Sequence, residues 1–209
     1  MSEKFKTEQE RFWASEFGEE YITRNESQKL LASNVFLFSK MLNASAGIDS
    51  VLEFGANIGM NLRALQILYP ELDISAIEIN DKASKMLQES IPSATVYQDS
   101  ILNFAVKRTF DLALIKGVLI HINPDELPNV YDKLYSCSSR YILVAEYYNP
   151  VPVAMEYRGN SDRLFKRDFA GEMLERFGDL NLVDYGFAYH RDVKFPQDDI
   201  SWFLLEKKI

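Results

Sequence analysis

"VLEFGANIGMNLRAL", residues 51–65, decides the fold. An apolar pair, Val51 and Leu52, leads into an acid, Glu53. Gly55 and Gly59 follow, and then a helix-like run begins. Strand, glycine turn and helix in that order make a βα unit, and such a turn is a usual place for a ligand. A G-x-G-x-x-G fingerprint starting at Gly55 needs glycine where Asn57 and Met60 stand, so a dinucleotide pyrophosphate loses its close backbone approach. A P-loop ends in Gly-Lys-Ser/Thr, and Gly59-Met60-Asn61 does not. A tight turn with no ligand stays open on this stretch alone.

The pattern on either side alternates. Ser50–Phe54, Asp73–Ile79, Ala94–Gln98, Phe110–Ile115, Arg140–Glu146, Leu182–Tyr189 and Ser201–Leu205 read as strands. Between them Asn61–Leu68, Lys82–Glu89 and Asp168–Arg176 read as helices, and Asn123-Pro124-Asp125-Glu126 is a helix start. Upstream, Thr7 with Glu10 fits a capping box, and so does Asn25 with Gln28, which opens a helix bearing Leu30, Leu31, Val35, Phe38, Met41 and Leu42. Strand–helix alternation with short links implies an α/β sandwich around a mainly parallel sheet. Ligands in such sheets bind beyond the carboxyl ends of the strands, so functional residues are expected directly after strands. Residues 1–46 are expected to form a helical cover or lid, and 47–209 the core of what is one domain overall.

Composition narrows the partners. The chain of 209 residues has a formal net charge of -8, which argues against nucleic acid, whose phosphates need a clustered basic surface. Arg163, Lys166 and Arg167 form a short basic cluster, read as a solvated helix end. The single cysteine, Cys137, precludes an intrachain disulfide, and its place before a strand favours a small buried residue. With two histidines, a structural zinc site is not expected. No apolar run approaches the ~20 residues of a membrane helix, and Met1–Glu10 is polar, so a cytoplasmic protein without a membrane partner is expected.

Glu53-x-Gly55-x-Asn57-x-Gly59 resembles the first motif of class I S-adenosylmethionine-dependent methyltransferases, with Asn57 in the place of the middle glycine. Asn visits positive φ more readily than most residues. Glu78, in Ala76-Ile77-Glu78-Ile79-Asn80, lies about 20 residues after the glycine loop, as a ribose-binding carboxylate should; alternatively it is an acid favoured at a helix start. Gln98-Asp99-Ser100 and "FDLALIKGVLIHI" match later motifs of the same superfamily in order, over roughly half the chain. The resemblance implies a Rossmann-like sandwich with a seven-stranded sheet and helices on both faces. It implies S-adenosyl-L-methionine as donor, with no metal, held by Glu53, Gly55, Asn57, Gly59, Glu78, Ile79, Asp99, Ser100 and Lys116.

A narrower resemblance covers nearly the whole chain. "EQERFWASEFGEEYITRN", "KGVLIHINPDELPNVYDKLY", "EYYNPVPVAMEYRG", "LFKRDFAGEML" and "VDYGFAYHRD" are similar to methyltransferases associated with pseudaminic acid biosynthesis. This implies a small, anionic, sugar-like acceptor, methylated on oxygen. N-methylation of an amino sugar and a non-catalytic binding module are the alternatives.

Methyl transfer is an in-line displacement, so alignment matters most, and a hydroxyl acceptor also gains from a general base. His121 is the candidate base, or else a histidine bonded to backbone beside the Asn123 cap. Lys116 could hold a carboxylate of acceptor or donor, or lie along the sheet edge. Tyr147, Tyr148 and Asn149 offer stacking surface and hydrogen bonds, or are core aromatics in the case of the tyrosines. Arg158 is a candidate anion clamp. Trp13, Tyr21 and Arg24 belong to the N-terminal segment that covers the donor or simply the sheet edge. His190 and Arg191 are expected to be solvated strand-end residues.

Overall fold

The computed structural model describes residues 5–15, 17, 18, 22, 27–157 and 160–208. Tyr21, Arg24 and Arg158 lie outside them. β1 (Ser50–Phe54) is flanked on both sides by parallel partners, β2 (Asp73–Ile77) and β4 (Phe110–Lys116). β3 (Thr95–Tyr97), β5 (Ser138–Glu146), β8 (Leu180–Ala188) and β9 (Ile200–Lys207) complete a seven-stranded sheet in the order β3-β2-β1-β4-β5-β9-β8. Only β9 runs against the rest, pairing antiparallel with β5 and β8. A parallel sheet covered on both faces favours strands that are apolar along most of their length, and Val51, Leu52 and Phe54 are all fully buried.

Alternate side chains feed two cores. Val51, Ile74, Leu112, Leu114 and Leu143 face α2 (Gln28–Met41), α3 (Met60–Leu68) and α4 (Asp81–Ser90). Leu52, Phe54, Ala113, Ile115 and Val144 face α5 (Leu127–Cys137) and α6 (Phe169–Arg176). Each fully buried large aliphatic or Phe side chain contributes about 1.5–3 kcal/mol. The same alternation sets the polar residues at the strand ends: Glu53 and Lys116 continue the α2–α3 face, whereas Glu146 continues the α5–α6 face.

The sequence reading of the elements needs three corrections. β6 (Val153–Tyr157) and β7 (Asn160–Lys166), in a stretch where the sequence predicts no strand, pair antiparallel as a two-stranded sheet, with Tyr157 opposite Asn160. Arg163 and Lys166 therefore belong to a strand, and Arg167 pairs with Glu172 at 2.5 Å at the start of α6, so this is no solvated helix end. The N-cap of α2 is Ser27, whose hydroxyl accepts from the Leu30 N–H at 3.0 Å, because that oxygen reaches the first turn from the residue next to the helix. The Thr7–Glu10 capping box is present at α1 (Glu8–Trp13). Cys137 is fully buried at the end of α5, where burial pushes its thiol up to about 12.

Gly59 caps α3 at φ 77, and a Cβ there would lie 2.9 Å from Leu87 Cγ. Gly59→Ala should therefore destabilise the fold by about 1–3 kcal/mol, through backbone strain and displacement of Leu87 from the core. A urea titration of both proteins checks this, and an unchanged midpoint would contradict it.

Candidate functional site

β1 and β4 are neighbours, yet the chain leaves them for opposite faces of the sheet, α3 on one and α5 on the other. Their carboxyl ends thus part and leave a crevice. A cavity of about 790 Å³ occupies it, large enough for a nucleoside-sized ligand together with a second molecule. Its wall is built from the turn after β1, the ends of β2 and β4, the segment after β3, helix α1, and the β8–β9 connection.

The turn after β1 needs unusual backbone. Gly55 has φ 75 and Asn57 has φ 49, the one non-glycine residue at positive φ among those described. A Cβ on Gly55 would lie 2.7 Å from Val118 Cγ2, so the turn packs against the loop after β4 as well as facing the cavity. Two carboxylates hold these loops. Glu78, at the end of β2, accepts from the Asn57 N–H at 2.7 Å and from the Asn80 N–H at 2.8 Å. Glu146, at the end of β5, accepts from the Val118 and Leu119 N–H groups, both at 2.9 Å. Burial pushes both carboxyls up, Glu146 to about 7, against the pull of these backbone donors.

Behind the cavity Glu53 is fully buried. Asn61 Nδ2 donates to its Oε1 at 2.7 Å, while Oε2 has no hydrogen-bond partner among the described residues. Burial lifts its carboxyl to about 8 despite Asn61 and the charge of Lys116. A chain of amides leads away from it: Asn34 Nδ2 donates to Asn61 Oδ1 at 3.1 Å, and Gln197 Nε2 donates to Asn34 Oδ1 at 2.8 Å. The three amides line the cavity and join α3, α2 and the β8–β9 connection. Lys116 also lines the cavity; burial lowers its ammonium, and the charges of Glu53, Asp198 and Glu146 oppose that shift.

The cavity lining gathers Gly55, Asn57, Glu78, Ile79, Ser100 and Lys116 of the expected donor set, with Trp13, His121 and Tyr147 of the acceptor set. Glu53 stands behind it, and Gly59 serves the turn. Asp99 is exposed and accepts from the Ser100 N–H at 2.7 Å. Successive residues leave an extended chain on opposite sides, so Tyr147 faces the cavity while Tyr148 packs 6.0 Å from Phe203. Asn149 donates to the Val151 carbonyl at 2.6 Å and does not line the cavity. His121 sits in a short 3₁₀ turn (Leu119–His121) with its ring 4.6 Å from that of Trp13.

Two acids escaped the sequence reading. Glu10, seen there only as a cap, also accepts from the Ser100 hydroxyl and so fastens α1 to the segment after β3. Glu146 read as a plain strand end, since its partners lie in another loop. His190 is exposed, as its place after β8 predicted, and it also lines the rim of the cavity. No group of three or more His, Cys, Asp or Glu among the described residues could hold a metal ion, and no described helix is long and apolar enough to cross a membrane.

No protein-family model matches the chain, and neither does any curated protein. Solved structures do match. Magnesium protoporphyrin IX methyltransferase (ChlM) from Synechocystis PCC 6803, with bound SAH, superposes with a TM-score of 0.70 at 12% identity, over 95% of this chain and 98% of that one. The plantazolicin methyltransferase BpumL in complex with SAH gives 0.66 at 14% identity, over 96% and 94%. A S-adenosylmethionine-dependent methyltransferase from Clostridium acetobutylicum ATCC 824 gives 0.64 at 12%, over 93% and 98%. At these identities the likeness establishes the fold: a Rossmann-like sandwich shared with class I methyltransferases.

The buried carboxyls make stability depend on pH. Glu53 and Glu146 rise from 4.5 to about 8 and about 7 on folding, so between those limits the folded protein keeps protons that the unfolded chain releases. Stability then falls as pH rises through this window and levels off above it. The melting temperature should drop between about pH 5 and about pH 8, and drop less in Glu53→Gln. Equal slopes in the two proteins would exclude a buried proton on Glu53.

Proposed function

We propose that the protein is an S-adenosyl-L-methionine-dependent methyltransferase. The observation that carries this reading is the placement of the cavity over the positive-φ turn Gly55–Asn57, between the carboxyl ends of β1, β2 and β4, in this fold. The residues present fit the donor. Glu78 has about four acceptor positions, of which the Asn57, Asn80 and Ile79 N–H groups occupy three, leaving capacity for a ribose hydroxyl. Asn57 Oδ1 is buried without a hydrogen-bond partner among the described residues, and Ile79, Ile101, Leu102 and Val118 give apolar lining on which a flat base can lie. The acids around Lys116 suit a ligand that carries positive charge. When bound, the donor supplies a methyl group on a sulfonium sulfur. The chain's part is to hold it, exclude water and align the acceptor.

The acceptor we infer is an oxygen of a small, anionic, sugar-like metabolite, as in a nonulosonic (pseudaminic) acid pathway of the cytoplasm, with no metal required. Lys116 supports the anionic part, and Tyr147 supplies a stacking surface. Within the N-terminal segment, 1–46, it is α1 that acts as the cover: Glu10 and Trp13 bring it to the cavity wall, where Trp13 packs on His121. Calorimetry with S-adenosylmethionine and S-adenosylhomocysteine tests donor binding, and absence of binding would end the reading. A labelled-donor screen of free and CMP-linked nonulosonic acids and amino sugars tests the acceptor. Transfer to nitrogen would replace the oxygen assignment.

Glu78→Gln places an amide hydrogen against a backbone N–H and removes a charged acceptor. The dissociation constant for S-adenosylhomocysteine should rise by ~10–100-fold, the equivalent of one charged hydrogen bond of ~1.5–3 kcal/mol. Unchanged affinity in calorimetry would mean that Glu78 serves the loop alone.

A further inference from the structure

The β8–β9 connection, residues 189–199, brings His190, Pro196, Gln197 and Asp198 to the cavity wall. Of these, His190 carries a constraint that donor binding does not explain. Its Nδ1 lies 2.8 Å from Asp199 Oδ1 and 2.9 Å from Oδ2, and its backbone N–H donates to Oδ1 at 3.0 Å. An ionised carboxylate only accepts, so the hydrogen of a neutral imidazole sits on Nδ1, and Nε2 keeps its lone pair. Asp199 itself is held below the usual carboxylate range by hydrogen bonds from the His190 backbone N–H and ring, with the charge of Lys166 adding to this. It therefore orients the ring without taking the proton. The Tyr189 ring meets the imidazole edge-on at 4.9 Å, and Lys166, from β7, lies 5.3 Å from the centre of the Tyr147 ring. Asp198, beside the pair, faces Lys116 electrostatically. His121, by contrast, is 9% exposed and packed on Trp13.

We propose that His190 is the general base of this site, that Asp199 is its positioning residue, and that the acceptor group is a hydroxyl. This rests on the methyltransferase reading. A carboxylate acceptor is already a nucleophile and needs no base, whereas a hydroxyl proton leaves only as the new bond forms. His190 Nε2 takes that proton while the acceptor oxygen bonds to the methyl carbon. The carbon–sulfur bond breaks with its electron pair kept on sulfur, which loses its charge. The imidazolium then passes its proton to water.

Two histidines in the chain make the test direct. Long-range ¹H–¹⁵N spectra of the full-length, histidine-labelled protein with S-adenosylhomocysteine, assigned with His190→Gln and His121→Gln, should show neutral His190 protonated on Nδ1. Asp199→Asn should redistribute the tautomers. In the labelled-donor screen, transfer to hydroxyl acceptors should fall ~10²–10⁴-fold in His190→Gln, with S-adenosylhomocysteine affinity retained and the acidic limb of the pH–rate profile lost. Asp199→Asn should lower the rate, and Asp199→Glu should restore part of it. A proton on Nε2, wild-type transfer by His190→Gln, or transfer confined to carboxylates or amines would each overturn the proposal. A wild type that binds no S-adenosylhomocysteine would instead overturn the methyltransferase reading beneath it.

Discussion

The site depends on one device used twice: a strand-end carboxylate that grips the backbone of the loop after the neighbouring strand. Glu78 reaches from β2 to the Asn57 N–H, and Glu146 reaches from β5 to the Val118 and Leu119 N–H groups. These loops flank the crevice and touch each other where Gly55 meets Val118. Without such acceptors, their inward-facing N–H groups would be buried unpaired, at about 1–3 kcal/mol each. The sheet provides the parting of β1 and β4, and the two acids keep its edges in shape.

This arrangement gathers acidic groups where solvent is scarce. Glu53, Glu78 and Glu146 are buried near Lys116, and burial raises all three carboxyls. A positive ligand brought among them makes ionisation less costly, so such a cavity favours cations more than its exposed surface area would indicate. The amide chain from Glu53 to Gln197 adds direction without adding charge.

Much of this was legible in the sequence because the central motifs are local. β1 spans the residues expected from Ser50 to Phe54, since a short run with Val51, Leu52 and Phe54 before a glycine turn admits few other structures. Asn57 takes the positive φ that its side chain tolerates. What escaped was non-local. Glu10 satisfies a capping box so well that nothing in its own neighbourhood points to Ser100, far along the chain. The pairing of His190 with Asp199 spans a connection whose fold-back leaves no periodic trace. The β6–β7 hairpin was overlooked because its charged residues mask the alternation, although Gly159 between two such runs is a hairpin signal.

The amide chain has a consequence for how the protein can change over generations. Gln197 donates to Asn34, Asn34 to Asn61 and Asn61 to Glu53, so the polarity of the chain is set by the acid at its end. Replacing Asn34 or Asn61 by an aliphatic side chain strands a group on either side, whereas replacing all three amides strands only the Glu53 oxygen at the end. Positions 34, 61 and 197, from three segments remote in sequence, are therefore expected to drift together among descendants, and a genealogy in which they vary independently would show that the chain is dispensable.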